Sequence, residues 1–167
     1  LAKRSHQINE LREISRRLPN HSMSFAVNYD VRYVPLPVFS PMGKVVSGIA
    51  NFNSFLISEC TRYQYPVNFS YPKSVFFLDR CFLVQRVPLS NKKELILINT
   101  HNSAFDLTGE LKKAEVEHLK KYILNEFSKG NYVIVGGDWN QAPPDFDQNT
   151  FLKENKKYKP SNFAPET

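Results

Sequence analysis

The sequence predicts an α/β fold, and three observations predict it. Short β-branched and aromatic runs fill residues 24–99, one long amphipathic helix follows at 110–129, and a further apolar run stands at 132–136. Residues 94–138 therefore read strand, helix, strand. A crossover of that kind sets its two strands parallel, with a right-handed connection in nearly all cases.

The elements follow in order. Residues 7–18, "QINELREISRRL", put Ile8, Leu11, Ile14 or Ser15, and Leu18 on one face at helical spacing. Arg12, Arg16 and Arg17 lie off that stripe and read as a solvated face. Pro19 and Asn20 stop the helix. Seven strand-like runs come next: "SFAVNY", "VRYVPLP", "GIANF", "FLISEC", "VFFL", "CFLVQRV" and "ELILIN". Turn chemistry at "SPMGK", "FNS" and "PLSNKK" separates them, and the runs at 81–87 and 94–99 form a hairpin. Residues 64–74, "QYPVNFSYPKS", read as an aromatic-rich loop, either packed or able to stack on a substrate. In the helix, Val116, Leu119, Ile123 and Phe127 make the apolar stripe and charges fill the other face. Thr108 is the expected N-cap and Gly130 the residue just past the C-terminus. After residue 140 the pattern fades into loop with at most one turn of helix.

Composition narrows the function. The chain has 167 residues, 41% apolar and 23% charged, which fits one globular domain and excludes a disordered chain. No run approaches the roughly 20 apolar residues that span a bilayer. The opening "LAKRSHQINELR" is polar and basic, unlike a signal peptide, and no Met precedes it. The expectation is a piece of a longer chain. A net charge of +6 favours anionic partners such as phosphates, nucleic acid or lipid head groups. Cys60 and Cys81 fit no metal spacing and are expected to be two buried strand thiols rather than a disulfide.

The crossover brings polar residues together. Its first strand ends "INTHNSAFD" and its second ends "VGGDWN". His101, Asp138 and Asn140 therefore share the carboxyl edge of the sheet, where open α/β sheets take their ligands. Gly136 and Gly137 are expected to let the backbone turn sharply and approach a ligand. Each residue alone has an ordinary explanation, a structural His or an Asp–Gly turn. Their joint placement suits chemistry at phosphorus. The His can hydrogen-bond or protonate a phosphate oxygen. The Asp can take a proton from water or help hold a hard cation. The Asn can orient a phosphoryl oxygen without repelling it.

"LILINTHNSAFD", followed some 37 positions after its His by "VIVGGDWNQAP", resembles the endonuclease/exonuclease/phosphatase superfamily with its deoxyribonuclease-I-like fold. Trp139 stands where that family usually has Phe, and "GELKKAEVEHL" and "SGIANFNSF" are similar to its intervening helix and an earlier strand. The resemblance spans roughly residues 24–145. It implies a four-layered α/β sandwich, two mixed sheets face to face with helices outside. It implies hydrolysis of phosphoester bonds with Mg²⁺ or Mn²⁺. It implies catalytic roles for His101, Asp138 and Asn140, with Asp138 and Asn140 on the metal side. Arg80, which opens "RCFLVQRV", and Asn102, beside the His, are the matching candidates for substrate phosphate.

The departures are also specific. The family's early Gln-Glu, whose Glu binds metal, and its closing Ser-Asp-His have no counterpart here. The four histidines are His6, His21, His101 and His118. The sandwich is therefore expected to be incomplete, as a central portion of the domain or as a degenerate member. Two functions stay open: a metal-dependent phosphoesterase, or a non-catalytic module that binds nucleic acid or anionic lipid through its basic surface. A calcineurin-like metallophosphatase is set aside, since no Asp-x-His precedes the Gly-Asp and no Gly-Asn-His follows it. Nucleic acids, nucleotides, phosphoinositides and sphingolipids are all open as substrates.

Overall fold

The computed structural model describes residues 5, 6, 8–66, 72, 76–104, 106, 108–142, 146, 147 and 149–151. The elements run α1 (Glu10–Arg17), β1 (Ser22–Val34), β2 (Gly43–Asn53), β3 (Glu59–Gln64), β4 (Cys81–Pro88), β5 (Glu94–His101), α2 (Glu110–Ser128) and β6 (Tyr132–Asp138). Two sheets result: β1–β2, and a mixed sheet ordered β3–β4–β5–β6. β4 and β5 form the expected hairpin, and β5 pairs parallel with β6 across the helical crossover. The helices and two sheets make the α/β fold, incomplete in extent, that the sequence predicts, although among the described residues the β1–β2 sheet is antiparallel rather than mixed.

The layers follow from alternation along β4, which is buried on both faces. Phe82 and Val84 point one way, into a core with Tyr65, Ile96, Ile98 and Leu119 of α2. Full burial of side chains this size contributes about 1.5–3 kcal/mol each. Cys81 and Leu83 point the other way, against Ala26 and Ile49 of the β1–β2 sheet. That second interface continues as a polar layer. Gln85 Oε1 accepts from Asn51 and Asn53 at 3.1 and 3.0 Å, its Nε2 donates to Ser24 at 2.8 Å, and Asn99 donates to Asn51 at 2.8 Å. On the outer side of β1, Ser15 of α1 reaches Met23 Sδ at 3.6 Å.

Several expectations shift. "SFAVNY" and "VRYVPLP" merge into β1, a single strand broken by bulges at 27–29 and 31–34. "FLISEC" gives only the start of β3, and the part of "VFFL" within the described residues is turn and coil. In the aromatic loop, Tyr65 is core at 1% exposure, while 67–71 and 73–75 lie outside the described residues. α1 runs 10–17, capped by the Asn9 side chain, which accepts from Arg12 N–H. Of its expected stripe, Leu11, Ser15 and Leu18 are half-buried, while Ile8 and Ile14 are exposed.

α2 departs most. Its inner face carries Glu115, Leu119 and Glu126, all at 2% exposure or less, whereas Phe127 is 70% exposed. Two glutamates assigned to the wet face are buried because each has a fixed partner, described below. Gly109, not Thr108, occupies the N-cap position without a side-chain bond, and Asp106 instead accepts from Lys112 N–H at 2.9 Å. Gly130 follows the helix at φ 79°, as expected. Cys81 is buried, Cys60 is exposed, and both are free. A surface residue of a β3 edge explains the second thiol, because β3 pairs on one side only. No helix among the described residues is long and apolar enough to cross a membrane.

Candidate active site

β5 and β6 set the site. Their parallel register pairs His101 directly with Asp138. The imidazole Nε2 lies 3.8 Å from Asp138 Oδ2. The two glycines before Asp138 do not turn the chain; both stay within β6. Gly137 has another reason to lack a side chain. At φ 139° its Cβ would sit 2.0 Å from the Thr100 carbonyl oxygen. The close approach to β5 backbone keeps the His and Asp strands tight where they end.

Beyond β6 the chain folds back in an Asx turn. Asn140 N–H donates to Asp138 Oδ1 at 3.0 Å, with Asn140 at φ 50°, a conformation that Asn tolerates. Asn140 Nδ2 donates to the Asn102 carbonyl at 2.8 Å. Asn102 N–H donates to the Asp138 carbonyl at 2.9 Å. The post-strand segments of β5 and β6 are thus stitched together. Asp138 keeps Oδ2 toward the ring, and Asn140, with its amide nitrogen engaged, has its Oδ1 as the remaining acceptor.

α2 anchors this rim from below. Buried Glu115 accepts from Ser103 N–H at 2.9 Å and from Ser103 Oγ at 2.7 Å. A buried carboxylate with two such donors is satisfied and rigid.

Arg80 is brought to the same rim because β4 enters where β5 leaves; Phe82 pairs with Thr100. It is not a solvated strand-end charge. It is only 9% exposed, and its Nη1 is buried without a hydrogen-bond partner among the described residues. Burial lowers its proton affinity, while the Glu115 and Asp138 carboxylates raise it. A buried cation with an open donor is costly unless an anion completes it. His101 is held below its ordinary pKa by burial first and by Arg80 second, with Asp138 opposing. The resting ring is therefore neutral at neutral pH.

Asn102, the other phosphate candidate, lies beneath the rim, and its Nδ2, like Arg80 Nη1, is buried without a hydrogen-bond partner among the described residues. Its side chain is 0% exposed and turns inward, where Oδ1 accepts from Thr100 Oγ1 at 2.6 Å and from Tyr65 OH at 3.3 Å. Its backbone N–H and carbonyl bond to Asp138 and Asn140 across the rim.

One residue was not foreseen. Asn28 in β1 is 1% exposed, and its Nδ2 lies 3.4 Å from His101 Nδ1. Ser47 Oγ donates to Asn28 Oδ1 at 3.3 Å. The signal available in the sequence was weak: a polar residue two places from Ala26, on the phase that turns out to be inner.

Among the described residues no three His, Cys, Asp or Glu side chains cluster as a metal centre. The donors on the rim, an Asp138 carboxylate oxygen and Asn140 Oδ1, are hard oxygens. Mg²⁺ takes one or two protein oxygens and fills its shell with water and substrate phosphate. The donor set fits in kind.

The fold is of the deoxyribonuclease-I-like type. The chain is similar in structure to the human Nocturnin catalytic domain with bound sulfate (TM-score 0.59, 15% identity, covering 83% of this chain and 49% of that one). It is similar to ANGEL2, a 2′,3′-cyclic phosphatase (0.54, 16%, 90% and 40%). It is also similar to truncated Caenorhabditis elegans TDP2 (0.53, 10%, 84% and 48%). All three are endonuclease/exonuclease/phosphatase superfamily members, and this chain has their fold. It spans about half or less of their length. No family model and no curated protein sequence matches it.

Proposed function

We propose that this chain carries part of the active site of a metal-dependent phosphoesterase, with His101, Asp138, Asn140 and Arg80 acting on one phosphoryl group. The observation that supports this most is the pairing of His101 with Asp138 beside a buried cation whose Nη1 has no partner among the described residues. A phosphoryl oxygen is the anion such an arginine takes. Asp138 Oδ2, 63% exposed as a side chain, accepts a proton from the attacking water. His101 Nε2 hydrogen-bonds a phosphoryl oxygen. Asn140 holds the loop and offers an oxygen. Asp138 and Asn140 would hold Mg²⁺ or Mn²⁺, which when bound neutralises charge developing on the phosphate.

The substrate class proposed is a nucleotide or nucleic-acid phosphoester. One structural neighbour is named a 2′,3′-cyclic phosphatase and is also known with adenosine-2′,3′-vanadate, an analogue of a phosphoryl group. The net charge of +6 suits a polyanion. Nitrophenyl phosphate mono- and diesters with Mg²⁺ test the reading. Asp138→Asn is expected to lower the rate by about a hundredfold or more. A rate indifferent to that change sinks it, and salt-sensitive nucleic-acid binding with no hydrolysis would replace it with a binding role.

A further inference from the structure

The β1 bulge carries a consequence for the histidine. In the β1–β2 pairing Val27 faces Gly48 and Tyr29 faces Ser47, so Asn28 is the extra residue. Bulges re-aim side chains and recur beside active sites. Here the freed backbone carbonyl of Asn28 accepts from Asp79 N–H at 2.7 Å, next to Arg80. That bond ties the first sheet to the rim of the second. The side chain then crosses between the sheets toward the imidazole.

The hydrogen-bond sense follows from the amide's two ends. Ser47 Oγ donates to Oδ1. The other end, Nδ2, has only protons to offer, and it faces His101 Nδ1. A ring nitrogen that accepts cannot carry the proton, so in the neutral ring the proton lies on Nε2. Nε2 is the atom that faces Asp138 across 3.8 Å.

We propose that Asn28 is a positioning residue that holds His101 as the Nε2–H tautomer, making the ring a hydrogen-bond donor to a phosphoryl oxygen rather than a base. This deepens the phosphoesterase reading and rests on it for the identity of the acceptor, but the tautomer itself does not. The division of labour is then fixed. Asp138 is the proton acceptor and His101 the donor, and the two cannot exchange roles while the Asn28 amide is in place. Proton position on a positioned imidazole matters greatly; reversing it in a serine-protease triad costs about four orders of magnitude.

The test is nitrogen NMR of the ring, with ¹⁵N-labelled His, at a pH where the ring is neutral. The wild-type protein is expected to show a pyridine-like Nδ1 and a protonated Nε2. Asn28→Asp replaces the donor by a carboxylate of the same shape, which can only accept. The proton is then expected to move to Nδ1, and the hydrolysis rate to fall about tenfold or more with KM little changed. Ser47→Ala is a milder variant that leaves β1 intact. It frees the amide to turn over and is expected to populate both tautomers. A wild-type ring protonated at Nδ1, or a tautomer unmoved in both variants, overturns the proposal. Absence of hydrolysis in wild type would instead remove the phosphoesterase reading and leave the ring assignment standing on its spectrum.

Discussion

Strand β4 has an arginine near each end, and their surroundings are opposite. Arg86 is saturated. It donates to Glu94 at 3.0 and 2.5 Å and to Glu126 at 2.9 Å. Glu126 in turn accepts from Lys129 at 2.7 Å and Asn131 at 2.8 Å. Burial pushes the Glu126 carboxyl up, but those donors outweigh it and hold it at about 2, while the same bonds push Arg86 well above its usual range. Arg80, one strand-length away, has a buried Nη1 with no partner among the described residues. The carboxylates that reach it, Glu115 and Asp138, act through space and are bonded elsewhere. The difference teaches where the fold is closed and where it is left open. One end is a finished lock between β4, β5 and α2. The other withholds a counter-ion, the condition in which a protein can take an anion from outside.

The comparison breaks most visibly at Arg86. Arg86→Met strands Glu126 in the interior without its main partner. Loss of one member of a buried pair costs about 3–5 kcal/mol, so urea denaturation should show a loss of that size. An unchanged midpoint would mean the lock contributes nothing. Acid should undo the same lock. A carboxylate held below its unfolded value contributes stability above that value and loses it as pH falls toward the folded one. For Glu126 that window runs from 4.5 down to about 2, and on the order of 3 kcal/mol should go within it. In Glu126→Gln the slope of stability against pH should flatten there. Arg80→Met sharpens the contrast from the other side. Removing an unsatisfied buried cation should leave stability unchanged or raise it by about 1 kcal/mol. Hydrolysis should still fall roughly ten- to a hundredfold, the worth of one charge-assisted bond to phosphate. Equal losses of stability in Arg80→Met and Arg86→Met would erase the distinction.

Much of this was legible in the amino acids, for identifiable reasons. The β4–β5 hairpin, α2 and β6 announce themselves by period, and the crossover rule then brings His101 and Asp138 to one edge without knowledge of any contact. What periodicity cannot show is which charges go inside. Glu115 and Glu126 read as surface because their partners, Ser103 and Arg86, lie 12 and 40 positions away. Arg80 was legible only through its place in a family motif, since its burial depends on the same distant packing. In β1 the alternating apolar residues Phe25, Val27 and Tyr29 suggest the inner face, yet Ala26 and Asn28 are the buried ones. A bulge is invisible to a period of two, so the residue it re-aims was passed over.

The amide layer between the sheets has a mechanical meaning. Greasy surfaces glide over one another at little cost, whereas Gln85 clasped by Asn51, Asn53 and Ser24 admits one lateral alignment. Asn28 rides on one sheet and His101 on the other. The far-off clasp therefore acts as a dowel, and the aim of an imidazole at the rim is fixed by glutamine and asparagine side chains that lie away from it.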